Sequence, residues 1–325
     1  MKANDSSNDL SLDRGVRGFL QALAAAGGPP LETLSPEDAR AVLTGAQADA
    51  DDRFAPANVE EKTISADGHE IVLHLVRPVG TDPREARPAF FFIHGGGWIL
   101  GDFSTHERFV RDLVADSGYT AIFVNYTPSP EARYPKAIRE IHAAVKWVEA
   151  HGREIGVDPE RLAIAGNSVG GNMAAAVSLL VAHEGGPKFR AQVLFWPVTD
   201  ANLETKSYHE YADGYFLSRS IMKWFWDAYT TDPGQRRQIY ASPLQASAEQ
   251  LQGQPPALVQ VAGADVLRDE GIAYAQHLDA AGVDVTLVRY ESLIHDFGLL
   301  NALSEIPAVR DGLHQAAEFL RKHLG

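Results

Sequence analysis

From residue 70 onward the chain alternates short apolar runs with longer stretches of helical period. Ile71, Leu73 and Leu75 alternate with more polar neighbours, the period-two signature of a half-buried strand, so the sheet is expected to begin at Glu70. Further apolar runs follow at Ala89–Ile93, Ala121–Tyr126, Leu162–Ala165, Ala191–Trp196, Ala257–Ala262 and Val283–Val288. Strands that are apolar on both faces must be covered on both faces, which predicts a mostly parallel α/β sheet with flanking helices and right-handed crossovers. Ile138, Ile141, Val145 and Val148 give one intervening helix its core-facing stripe. Ahead of the sheet, Val16, Phe19, Leu20 and Leu23 predict an amphipathic helix. A second is expected to start at Ser35 as N-cap, with Pro36 at the first position and Ala41, Val42 and Leu43 on its apolar side. The leading MKANDSSNDL is polar and expected to fray.

The alternation lapses between Thr199 and about Gln238. Tyr208, Tyr211, Tyr215, Phe216, Trp224, Phe225, Trp226 and Tyr229 crowd there without a strand pattern. This stretch reads as an inserted helical lid, its aromatic side chains either lid core or the wall of an acyl or alcohol pocket. With no repeat and no second complete domain, residues 1–325 read as one domain. A cap is expected from about 1–50 and 199–238, over a core of about 51–198 and 239–325.

Composition narrows the function. A net charge of −14 with no basic block disfavours nucleic acid and suits an uncharged small molecule. Zero cysteines exclude disulfides, thiol nucleophiles and thiolate metal sites. The apolar run Phe19–Ala26 is too short to span a membrane and lacks the flanks of a signal peptide, so a cytoplasmic protein is expected. Base rates favour a homodimer through a sheet edge as an expectation, though no residue demonstrates it.

The chemistry concentrates at strand ends. Leu162-Ala-Ile-Ala-Gly-Asn-Ser-Val-Gly-Gly171 runs from a buried strand into a small-residue helix and puts Ser168 on the turn. Such a turn is strained and needs neighbours without bulk, here Gly166 and Gly170, which makes a G-x-S-x-G nucleophile elbow. The other reading of these glycines is a tight packing turn. Phe91-Phe-Ile-His-Gly-Gly-Gly-Trp98 leaves a second strand with backbone free to approach a ligand. Acyl transfer builds charge on a carbonyl oxygen, and each preorganised N–H donor aimed at it is often worth ~3 kcal/mol. Gly96, Gly97 and Val169 are the candidate donors, with His94 shaping the loop. A serine hydroxyl also needs a base, and the base an orienting acid. Asp265 closes the run Val259-Gln-Val-Ala-Gly-Ala-Asp265, and His295 follows Arg289-Tyr-Glu-Ser-Leu-Ile. The order Ser, Asp, His beyond strand ends is that of a hydrolase triad. Asp269 is the reserve acid, while His106, His142, His151 and His277 read as solvated helix positions.

These motifs resemble the hormone-sensitive-lipase-like esterases of the α/β-hydrolase fold. The match rests on His94-Gly-Gly-Gly-Trp98 with Gly101, on Tyr126–Pro135, on Gly166–Gly171, and on Asp265-Val-Leu-Arg-Asp-Glu-Gly271 before His295. The resemblance implies an eight-stranded mixed sheet and a cap built from N-terminal helices plus an insertion. It also implies hydrolysis of short- to medium-chain acyl esters through an acyl-enzyme, with neither metal nor cofactor. Three positions depart from the family pattern. Asn167 stands where an acid is usual, Val169 where alanine is common, and Asp296 where glycine is frequent. Asn167 is expected to leave the elbow less negative, and Asp296, pointed inward, to raise the histidine pKa. An amidase or peptidase with the same triad, and a non-catalytic receptor on the same scaffold, stay open.

Overall fold

The computed structural model describes residue 6, residues 9–48 and residues 54–325. The frayed start expected above concerns mainly residues 1–5, 7 and 8, which lie outside the described residues. Eight strands form one sheet: β1 (Ala57–Ala66), β2 (His69–Pro78), β3 (Arg87–Ile93), β4 (Thr120–Asn125), β5 (Val157–Asn167), β6 (Gln192–Phe195), β7 (Ala257–Ala264) and β8 (Val285–Ile294). The N-terminal helices are α1 (Arg14–Ala26) and α2 (Pro36–Gln47), followed by α3 (Phe103–Ser117), α4 (Lys136–His151) and α5 (Val169–Glu184). The insertion holds α6 (Lys206–Glu210), α7 (Arg219–Tyr229) and α8 (Pro233–Arg236). The chain ends with α9 (Ala248–Leu251), α10 (Arg268–Ala280) and α11 (Pro307–Leu324).

The strand order is β1-β2-β4-β3-β5-β6-β7-β8, with β2 antiparallel to both neighbours and every other pairing parallel. Alternate side chains leave a strand on opposite faces, which is visible in β3. Phe91 and Ile93 enter one core with Leu162 and Ile164 of β5, whereas Phe90 and Phe92 enter the other with Ala163 and Ala165. Each such buried Phe, Ile or Leu side chain contributes about 1.5–3 kcal/mol. Helix α5 is buried from Val169 through Leu180 and apolar there but for Asn172 and Ser178, as suits a central helix. Helix α4 buries Ile138, Ile141, Val145 and Val148, the stripe expected of it.

Four expectations need correction. The sheet begins at Ala57, not Glu70: β1 pairs with β2 over its whole length, and as a largely exposed edge strand it shows no apolar alternation. The run at Val283 is part of a strand that spans Val285–Ile294 and delivers the chain directly to His295. On α2 the buried side is Ala39 and Gln47, while Val42 is 52% exposed. His106 and His142 are buried, because α3 and α4 turn those faces onto the sheet; His106 lies near the His94 and Phe92 rings. Among the described residues no helix is long and apolar enough to cross a membrane.

Candidate active site

Parallel pairing sets Ile93 against Gly166, so the loops leaving β3 and β5 emerge side by side. Ser168 occupies the turn after β5 with φ +55° and ψ −121°, a left-handed conformation that a side chain rarely adopts. The turn closes only because Gly170 carries no side chain: a Cβ there would sit 2.0 Å from the Ile93 carbonyl oxygen. Helix α5 starts at Val169, so its first-turn amides have no intrahelical acceptor.

β7 and β8 deliver the acid and the base. The Nδ1 of His295 lies 2.7 Å from Oδ2 of Asp265, and its Nε2 lies 3.0 Å from the Ser168 Oγ. An ionised carboxylate only accepts, which places the ring proton on Nδ1 and leaves the Nε2 lone pair facing the serine. The second oxygen of Asp265 accepts the Leu267 amide at 2.9 Å. All three side chains are buried. Gly263, which nothing in the sequence singled out, permits this geometry. The β7–β8 register shifts between Ala262 and Ala264, and a Cβ at 263 would lie 2.1 Å from the Glu291 carbonyl oxygen.

The glycine loop after β3 lies across the cleft from the elbow. Gly96 and Gly97 have φ of +105° and +64° and line the same cleft as Ser168. A Cβ on Gly97 would lie 2.2 Å from the Phe225 ring, so the insertion rests directly on this loop. Trp98 stacks on Tyr229 at 4.1 Å, which joins α7 to the loop a second time. His94 is buried between Tyr126 and Phe123, its Nδ1 2.8 Å from the Gly95 carbonyl. Burial pushes its pKa down to about 4, so it stays neutral and shapes the loop. On the outer side Arg40 of α2 donates to the carbonyls of Ile99 and Ser129, and its ion pair with Glu131 completes a tie between the N-terminal helices and the loop.

Two of the three residues that depart from the family pattern, Asn167 and Asp296, meet each other. Asn167 accepts from the Gly95 amide at 2.9 Å and donates to Oδ1 of Asp296 at 3.1 Å; Trp196 donates its indole N–H to the same oxygen at 2.7 Å. The carboxylate absent from position 167 is thus supplied from position 296, and the elbow keeps a negative neighbour. The other oxygen of Asp296 lies 3.8 Å from Nε2 of His295. Burial disfavours the charged ring, but the carboxylates of Asp265 and then Asp296 outweigh it and hold the pKa of His295 above 6.5.

The reserve acid Asp269 is turned away from this cluster, toward the Ser207 amide and Arg268. Of the aromatic side chains in the insertion, Phe216 and Phe225 reach the cleft, joined by Leu217 and Ile221. Tyr208 is instead fully buried, Tyr211 packs on Arg268, and Trp224 lies against Phe225. The cleft encloses about 810 Å³ of empty space, part of it open to solvent, and its remaining wall comes from α1, α2 and their linker through Phe19, Leu23, Leu31, Val42, Leu43 and Ala46.

A profile of the alpha/beta hydrolase fold matches residues 90–299. Ethyl acetate hydrolase from Pseudomonas putida is 32% identical over 326 residues, covering 97% of this chain and 100% of the relative. Carboxylesterase NlhH from Mycobacterium tuberculosis is 34% identical over 269 residues, 82% of this chain and 83% of the relative. The crystal structure of a thermostable esterase from Pseudomonas putida matches with a TM-score of 0.93 and 57% identity, over 97% of this chain and 98% of that one.

Proposed function

The chain belongs to the α/β-hydrolase fold family, in its hormone-sensitive-lipase-like group, and is a carboxylic-ester hydrolase; from that premise we propose that Ser168, His295 and Asp265 carry the reaction. Ser168 Oγ attacks the ester carbonyl as Nε2 of His295 takes its proton. The Gly96, Gly97 and Val169 amides receive the charge that develops on the carbonyl oxygen. Collapse of the tetrahedral intermediate expels the alcohol, protonated by His295, and leaves an acyl group on Ser168. Water activated by the same histidine releases the acid. Asp265 fixes the ring tautomer and stabilises the imidazolium in both half-reactions. The observation that carries this reading is the relay of 3.0 Å and 2.7 Å from Ser168 through His295 to Asp265, at the floor of a cleft whose walls are apolar apart from Asp296 beside the relay.

An apolar wall takes an uncharged chain, because a charge moved into it would lose its hydration without a partner. The cap formed by α1, α2 and the insertion limits that chain to short or medium length. A net charge of −14 accords with a neutral ester as the partner rather than nucleic acid. The test is a p-nitrophenyl ester series from acetate to long acyl chains, run beside the matching p-nitroanilides. Esters of short and medium chains are the expected substrates. Anilide turnover equal to ester turnover would favour the amidase alternative instead.

Phe225→Ala removes the ring that lies over Gly97 and widens the cleft. The kcat/KM ratio of a longer acyl ester to acetate is expected to rise roughly tenfold. An unchanged ratio would assign Phe225 to cap packing alone.

The proton-accepting form of His295 is the neutral ring, so kcat/KM should fall as pH drops through a value above 6.5. Asp296→Asn keeps an oxygen for Trp196 while removing the charge beside Nε2. The acid limb is then expected to move to lower pH; a limb that stays in place would show that Asp296 does not act on the ring.

A further inference from the structure

Behind the catalytic acid lies a second buried carboxyl group that the mechanism does not use. Glu270 sits in the first turn of α10, 1% exposed, five residues after Asp265. Its Oε1 accepts the amides of Thr199 and Asp200 at 2.6 and 3.2 Å, the first two residues of the insertion, and its own backbone carbonyl accepts the Thr199 hydroxyl at 2.8 Å. Its Oε2 is buried and has no hydrogen-bond partner, and the same is true of the Tyr208 hydroxyl beside it. Among the described residues no lysine, arginine or histidine forms an ion pair with it. Arg268, two residues earlier, directs its guanidinium to Asp269, Glu210, Tyr211 and the Gly263 carbonyl. The titratable groups that act most strongly on Glu270 are Asp200 and Asp265, with Tyr208 beside them, and none of these is positive.

Two fully buried carboxylates with no cation between them cannot both be charged at an acceptable cost, and the one bound to His295 has the imidazole to support its charge. We propose that Glu270 is a positioning residue that works as an uncharged carboxylic acid, holding the root of the 199–238 insertion to the loop that carries Asp265. In that state Oε1 remains an acceptor for the two amides, and the proton on Oε2 supplies the donor that the Tyr208 oxygen lacks. The insertion is thereby fixed relative to the catalytic acid. Ser207 repeats the tie from the other end, its hydroxyl donating to the Val266 carbonyl at 2.7 Å. Since α7 also rests on the glycine loop, this root sets where the oxyanion donors stand relative to His295.

Burial, aided by Asp200 and Asp265 and only partly opposed by the two amide bonds, raises the Glu270 pKa well above 4.5. Folding therefore takes up a proton at any pH between 4.5 and the folded value. Across that window stability declines as pH rises, because the unfolded chain has already lost the proton. Glutamine has no proton to take up, and its amide reproduces the protonated acid, with one oxygen to accept and one N–H to donate.

The test compares wild type, Glu270→Gln and Glu270→Ala by thermal melting between about pH 5 and pH 9 and by kcat on p-nitrophenyl acetate. Glu270→Gln is expected to flatten the decline of Tm with rising pH, and to exceed Glu270→Ala in kcat by roughly tenfold, since alanine strands two buried amides. His295 also loses stabilisation as pH rises, but it does so equally in wild type and the glutamine variant, so the difference between their profiles isolates Glu270. If Glu270→Ala does not fold, the glutamine and wild-type melting profiles decide alone. Identical pH slopes in those two, or a glutamine variant no more active than a folded alanine variant, would overturn the proposal. The inference rests on Asp265 serving the triad, but melting is read without substrate and so fails or succeeds separately from the esterase reaction.

Discussion

Replacing Ser168 by alanine is expected to lower kcat on a short p-nitrophenyl ester on the order of 10⁶-fold while leaving KM and the melting temperature close to those of wild type. In the proposed mechanism the hydroxyl supplies the attacking oxygen, and among the described residues its Oγ is the side-chain atom placed 3.0 Å from Nε2 of His295, in line with Asp265. The oxyanion donors and the cleft survive the change, so a slow rate above that of water should remain. The backbone should tolerate it as well, because alanine at φ +55° is strained to about the degree serine is. Adding His295→Ala to Ser168→Ala should cost little more, since the two act as one unit. Steady-state rates at high enzyme concentration measure all of this. A Ser168→Ala protein that kept a tenth of wild-type activity would remove the nucleophile assignment.

Gly170→Ala is expected to have the largest effect on stability, about 3 kcal/mol, read as a fall in Tm of roughly 4–5 °C for a chain of this length. The new methyl would lie 2.0 Å from the Ile93 carbonyl oxygen and 2.6 Å from the backbone carbonyl of His94. Both are main-chain atoms of the strand end that feeds the glycine loop, and no rotamer change relieves the contact. Helix α5 has to retreat from β3, which parts the elbow and Val169 from the proposed donors Gly96 and Gly97, so kcat should fall along with Tm. Calorimetry and ester hydrolysis on the same sample check both. An unshifted Tm would mean that α5 has room to withdraw.

The interior of the sheet was legible because strands buried on both faces are written as continuous apolar runs, and β3 through β7 appeared within a few residues of their bounds. The edges were not. β1 carries Glu60, Glu61 and Lys62 and pairs on one side only, so its sequence resembles any polar segment. β8 alternates toward solvent with Arg289 and Glu291 and lost its second half for the same reason. At the site, the elbow, the glycine loop, the acid and the histidine were each readable from local pattern. What the sequence concealed were partners distant in the chain. Arg40 reaches Ile99, Glu270 reaches back to Thr199, and Asn167 meets Asp296, each pair brought together only in the folded chain. Gly263 was invisible too, because the need for a missing side chain arises from the approach of β8, which no property of residues 259–265 announces.

The wall of the cleft and its reacting groups are encoded in different parts of the chain. Phe19, Leu23, Val42 and Ala46 come from helices that precede the sheet, Phe216 and Phe225 from an insertion between β6 and β7, and the proton relay from strand ends. Substitutions that reshape the wall therefore leave the Ser168–His295 and His295–Asp265 distances to the sheet, and the two can drift independently under selection. A lineage can exchange one diet of esters for another by altering Phe19, Leu23, Val42 or Ala46, provided that Arg40 keeps its hold on the glycine loop.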